Sequence, residues 1–227
     1  MTMGPARSID QLRRKLLTLG ALVEESARRS VLAMRGKDKL AAGAVVRSDM
    51  EIDTLEIAIE EDCVTLLAQP PLRPEDTRII VAFLKINTDL ERIGDLAGNI
   101  ARHVEDLSVH EQALLPADLL RMADAALAML RRALDSFVEA DVAMARAVCA
   151  GDDEVDALNR EMYQFVQQRI MENPAMTGRL LNVLGIARHL ERIADCATNI
   201  AEVVVYIDSG SIIRHGRDLP LPHAGTA

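Results

Sequence analysis

Residues 86–101 read INTDLERIGDLAGNIA and residues 186–201 read IARHLERIADCATNIA, with ten of sixteen positions identical at an offset of 100. Residues 38–53 match residues 141–156 at seven of sixteen positions, at an offset of 103. Two matches with nearly equal offsets belong to one duplication, so whatever unit this chain folds into, it folds twice. The unit is helical. Aromatic residues make up 2% of the 227-residue chain and Trp is absent, which leaves too little of what a β-sandwich core is built from. The eight prolines fall at 5, 70, 71, 74, 116, 174, 220 and 222, and the long intervals between them are free of a residue that breaks helices.

Each interval reads as one helix with an apolar stripe. Leu12, Leu16, Leu19, Val23 and Ala27 recur at spacings of three and four, so a helix is predicted from Ser8 as N-cap to Arg35, stopped by Gly36. Asp38 caps a second helix reaching Ala68, and a third runs from Pro74 to Leu107. A polar interval, Ser108 to Leu115, separates the repeats. Pro116 suits the first turn of a fourth helix ending near Ala140. Asp141 caps a fifth, and Asn173-Pro174 divides it from a sixth that fades after Asp208. The expectation is an all-α chain of six long helices, two tandem three-helix bundles related by duplication. The first bundle spans residues 1–110, the second 111–208, and residues 209–227 form a flexible tail.

The duplication keeps acids as well as core. The second and fifth helices carry Asp49-x-x-x-Asp53 and Asp152-x-x-x-Asp156. The third and sixth carry Glu91-x-x-x-Asp95 and Glu191-x-x-x-Asp195, extended by Asn99 and Asn199. Residues four apart drift only about 40° around a helix, so each set is a strip along one face. Glu91, Asp95 and Asn99 flank the Leu90/Ile93/Ala97/Ile100 stripe, and Asp49, Asp53, Glu56 and Glu60 flank Ile52/Leu55/Ile59. Like charges four apart destabilise an isolated helix by a few tenths of a kcal/mol, about 0.2–0.5 per pair. Four such strips ask for compensation, either from solvent and from Arg92, Arg192 and their neighbours, or from a cation. Carboxylate and amide oxygens without thiolate suit Mg²⁺, Ca²⁺, Mn²⁺ or iron.

Other classes recede. A net charge of −9 and a pI near 5.1 do not suit a nucleic-acid binder. Cys63, Cys149 and Cys196 are odd in number and far apart, which points to small core residues in a reducing cytoplasm rather than to disulfides or a thiolate zinc site. There is no signal peptide, no apolar run of membrane-spanning length, no polybasic anchor, and no Gly-rich phosphate loop, nucleophile elbow or HExxH. The ten Met read as core filler. His103 continues the third-helix strip, but its counterpart is Val203, and Asp89 is matched by His189. That mismatch speaks against a di-iron oxidase built on paired Glu-x-x-His. Arg92 and Arg192 suit either a phosphate or a structural ion pair with a neighbouring helix.

The doubled LERIGDLAGNIA and LERIADCATNIA, each preceded by DxxxD, resemble the PhoU family of phosphate-specific transport accessory proteins over residues 8–208. The resemblance implies a helical, cytoplasmic, homodimeric regulator without catalytic activity. Such a regulator damps the phosphate-starvation response through contacts with a sensor histidine kinase and the ATPase subunit of the phosphate transporter. It inserts into no membrane and binds no nucleic acid. It also implies metal ions (iron, zinc, manganese or magnesium) on Asp49, Asp53, Glu91, Asp95 and Asn99 in one bundle. Asp152, Asp156, Glu191, Asp195 and Asn199 would serve in the other. Glu56 is matched by Asn159, so the two sites need not be equivalent. Two rival readings stay open: a metal-dependent enzyme with a carboxylate-bridged polynuclear site, and a structural oligomer with solvated acidic faces.

Overall fold

The computed structural model describes residues 5–69, 71–108, 115–210, 212–214 and 217–219. In the first repeat lie α1 (Pro5–Gly36), α2 (Lys39–Leu67) and α3 (Pro74–Ser108). The second contains α4 (Ala117–Glu139), α5 (Val142–Cys149), α6 (Asp152–Glu172), a single 3₁₀ turn at Pro174–Met176, and α7 (Thr177–Ser209). Every predicted helical segment is present, although α1 begins at Pro5, so Ser8 lies within its first turns rather than capping it. The fifth is in two pieces, α5 and α6, for a local reason. Where α2 carries Ser48, the second repeat has Gly151, a poor helix residue, followed by three acids in the first turn of α6. Asp152, Asp153 and Glu154 favour a fresh N-terminus, where the helix dipole stabilises negative charge.

The inter-helix corner is built the same way twice. Lys37 and Ala140 take left-handed backbone angles, φ 49° and 53°, although neither is glycine. The next residue caps the following helix: Asp38 accepts from the amides of Leu40 and Ala41 at 2.9 and 3.0 Å, and Asp141 from that of Met144 at 2.9 Å. Gly36 therefore does not stop α1, as its position had suggested; Lys37 makes the turn. Beyond α7, Ile212–Arg214 and Arg217–Leu219 pair as a short antiparallel hairpin, with Ile212 opposite Leu219. The rest of the expected tail, residue 110 at the expected bundle boundary and most of the polar interval lie outside the described residues.

The two central helices are α3 and α7. Helices α1 and α2 pack on α3, helices α4, α5 and α6 pack on α7, and α3 and α7 pack extensively on each other. The predicted stripes are the interior: Leu12, Leu16, Leu19, Val23 and Ala27, like Leu90, Ile93, Ala97 and Ile100, are no more than 1% exposed. Buried apolar residues form one cluster through both repeats. A second seam, between α1 and α4, closes it. Beside it Phe83 of α3 and Phe137 of α4 meet edge to face at 5.8 Å, and Arg13 of α1 covers the Phe137 ring and donates to its carbonyl at 3.0 Å. Arg35 pairs with Asp124 across the same seam. Each of α3 and α7 therefore shows one face to its own bundle and another to the opposite repeat.

Candidate functional site: two facing acidic strips and a cleft between the repeats

In the first repeat the α2 and α3 strips face each other. Burial, then Asp53 and Asp95, pushes the Asp49 carboxyl above its ordinary range, against an opposing pull from Arg102. Glu91 is raised by burial, Asp95, Glu56 and Asp53, and Glu56 by burial, Glu60 and Asp53. Six carboxylates thus crowd one side of the bundle. The approach is close at Gly94: a Cβ there would stand 3.1 Å from Ile52 Cγ2 and 3.7 Å from Asp49 Oδ1, so a side chain would press on Ile52 where α2 meets α3.

The second strip repeats the pattern with fewer acids. Desolvation, then Asp195 and Asp156, raises Asp152 to about 6. Asp195 is raised by partial desolvation and Asp156, against Arg192, and Glu191 by desolvation, Asp195 and Asp156, against Arg188 and Arg192. The expected carboxylates are therefore brought together in both halves, two helices contributing to each group. Each of the two amides also has a partner outside the carboxylate group. Asn99 accepts from Arg102 Nη1 at 2.7 Å, and Asn199 donates to Asp89 at 3.2 Å.

The donor chemistry of the strips fits a hard cation, since it is oxygen throughout and every resolved shift within the strips runs toward the protonated form. The geometry is open rather than cage-like. Among the described residues, no three His, Cys, Asp or Glu side chains converge closely enough to hold one ion.

Three features were not legible as a site in the sequence. Asp89 is 9% exposed and raised by burial, against Asn199 and Arg92, at the α3–α7 junction. A cleft of about 660 Å³ opens beside it, lined from both repeats by Lys85 and Arg92 of α3, Asp152 of α6, and Arg192, Asp195 and Tyr206 of α7. The equivalent place at the other end of the junction is filled. There His103 stacks on His189 at 5.4 Å between ring centres and bonds Asn182 Oδ1 at 3.0 Å. His103 therefore faces α7. His189 is held down to about 4 by burial, His103, Arg192 and Arg188. A Cβ on Gly185 would lie 2.5 Å from His103 Nε2, so the imidazole occupies the space a side chain would need. The signal was present, though unreadable alone: Lys85, Asp89 and Val203 are the counterparts of Gly185, His189 and His103.

The PhoU domain model matches residues 16–104 and again 119–204, one copy per repeat. The phosphate-specific transport system accessory protein PhoU of Escherichia coli K12 is 30% identical over 208 residues, covering 91% of this chain and 86% of that protein. The crystal structure of PhoU from Pseudomonas aeruginosa superposes with a TM-score of 0.88 at 33% identity, covering 91% of this chain and 99% of that one. The phosphate transport system regulatory protein PhoU from Streptococcus pneumoniae superposes with a TM-score of 0.85 at 29% identity, covering 93% and 100%. With two domain copies, matching architecture and, over 91% of its length, 30% identity to a curated member, this chain belongs to the PhoU family.

Proposed function

We propose that this protein regulates phosphate uptake and represses the phosphate-starvation response, as a cytoplasmic adaptor between the ATPase subunit of a phosphate transporter and a sensor histidine kinase. The carrying observation is the duplicated PhoU domain through nearly the whole chain, which spans 86% of a relative named as a phosphate-specific transport accessory protein and all of one named as a phosphate transport regulatory protein. Among the described residues no helix is long and apolar enough to cross a membrane, so contact with a transporter would be made through its surface. A homodimer would present two copies of these surfaces at once. The reading is non-catalytic, in keeping with relatives named as accessory and regulatory proteins.

Metal ions belong to the same reading. Asp49, Asp53, Glu91 and Asp95 would hold them in the first repeat, with Asn99 as an added oxygen donor. Asp152, Asp156, Glu191, Asp195 and Asn199 would do so in the second. Bound iron, zinc, manganese or magnesium would neutralise facing carboxylates and tie α2 to α3 and α6 to α7. The chain's own part is to hold those carboxylates close, through Gly94 in one half and the α6–α7 packing in the other. Deleting the gene and measuring phosphatase expression in high phosphate tests the regulatory reading. Derepression is expected, and an unchanged, repressed level overturns it.

A further inference from the structure

We propose that the cleft at the α3–α7 junction binds a phosphate-type oxyanion, either inorganic phosphate or the terminal group of a small phosphate monoester. This deepens the regulatory reading by naming what such a regulator senses, while the binding stands or falls on its own measurement. Three cationic side chains line the cleft: Lys85 and Arg92 from the first repeat and Arg192 from the second. Arg92 and Arg192 are the same position of the two repeats, brought to one opening by the packing of α3 on α7. Although acids surround them, no ion pair among the described residues engages any of the three. The structural ion pair that the sequence offered as one role for the two arginines is thus not formed; Arg92 bonds the Cys196 thiol and Lys85 rests over the Tyr206 ring at 5.4 Å, and a guanidinium with five N–H groups keeps further donors beyond that one contact. Guanidinium forks match a tetrahedral oxyanion in a way that a lone ammonium does not.

The acids of the cleft are arranged to permit this. Asp89 is buried and already accepts from Asn199. Asp152 and Asp195 stand on α6 and α7, where they belong to the second acidic strip, and Glu202 of α7, the fourth acid of the lining, has a partner of its own. The cleft therefore has a cationic wall from α3 and an anionic wall from α6 and α7, with Arg192 beside the latter. An oxyanion settles against the first wall, within reach of Lys85 and Arg92. A volume of about 660 Å³ exceeds what a free phosphate fills, which leaves room for the organic part of a monoester.

The duplication supplies an internal comparison. At the opposite end of the junction Gly185 replaces Lys85, and His103 fills the space. The cleft beside Lys85 and Asp89 is open, whereas His103 takes the corresponding space at Gly185, so one oxyanion per chain is expected.

Isothermal titration calorimetry on the full-length chain in Mg²⁺-containing buffer, with inorganic phosphate and glycerol 3-phosphate as separate probes, tests the proposal. Saturable binding of at least one probe is expected, at about one site per chain. Arg92→Gln and Arg192→Gln should each weaken it about tenfold or more, as loss of a charge-assisted hydrogen bond does. The exposed Arg131→Gln on α4 should leave it unchanged. Phosphate binding without glycerol 3-phosphate identifies the free ion; the reverse identifies a monoester. No saturable binding below about 10 mM, or binding untouched by both arginine variants while they keep the parent melting temperature, overturns it. Binding without derepression in the deletion strain would retire the regulatory reading and leave the site. Derepression without binding would do the opposite.

Discussion

Replacing Gly185 by Ala sets two known effects against each other, and the structure decides the sign. Gly185 lies in the interior of α7, where Gly→Ala in an isolated helix stabilises by about 1 kcal/mol. Here the new methyl would stand 2.5, 2.7 and 3.1 Å from three atoms of the His103 ring. That ring cannot simply swing aside, because it is bonded to Asn182 and stacked on His189. Relieving the overlap means ejecting the imidazole, losing a hydrogen bond worth about 1 kcal/mol, or separating α3 from α7, with overpacking costs of about 1–3 kcal/mol. Net destabilisation of up to about 2 kcal/mol follows once the helix gain is subtracted. Urea denaturation of Gly185→Ala, His103→Ala and the double variant gives the coupling directly. The double variant should recover most of the loss, because the methyl then enters the space the ring has vacated. A stabilised Gly185→Ala, or additive losses in the double variant, would show that His103 does not pack on α7 as described.

Asp152 titrates at about 6 in the fold against an ordinary 3.8, so its proton is bound more tightly when folded. Its contribution is full below pH 3.8 and lost as pH rises through about 6, so chelator-treated protein loses stability over that window. With the side chain partly exposed and screened, Asp152→Asn should recover about 1 kcal/mol near pH 7.5 and flatten the pH profile of the melting temperature; an unchanged slope refutes it. Adding Mn²⁺ or Mg²⁺ to the chelated protein should raise stability, by about 2.7 kcal/mol at a hundredfold excess over Kd, and much less in an Asp95→Asn/Asp195→Asn variant. No shift in either protein counts against metal on the strips. Ala140 pays a left-handed penalty at the α4–α5 corner, so Ala140→Gly should gain about 0.5–1 kcal/mol in chemical denaturation. A loss would show that corner to be relaxed.

The bundle was legible because its signals are local and repeated. Apolar stripes on α1 and α3, the Asp38 and Asp141 caps and the Glu91/Asp95 strip follow from helical period alone. The α5–α6 break needed a comparison between repeats, since Gly151 becomes informative beside Ser48. The left-handed turns at Lys37 and Ala140 escaped notice because neither side chain favours that conformation; the following Asp cap imposes it. The fate of Arg92, Arg192 and His103 was out of reach for a different reason. These residues leave the face their own bundle uses and answer to the packing of α3 on α7, which no periodicity encodes.

The junction between the repeats behaves like a dimer interface drawn inside one chain. Asp89 meets Asn199 at one end, and His189 meets His103 at the other, as two copies related by a two-fold axis would arrange them. Two separate identical subunits would have to carry both ends alike, both plugged by histidine or both open beside lysine. Covalent fusion releases that constraint, because position 85 and position 185 are free to differ. A single chain can therefore keep one end of its two-fold axis as a rigid weld and leave the other as an opening, a division of labour closed to its unfused ancestor.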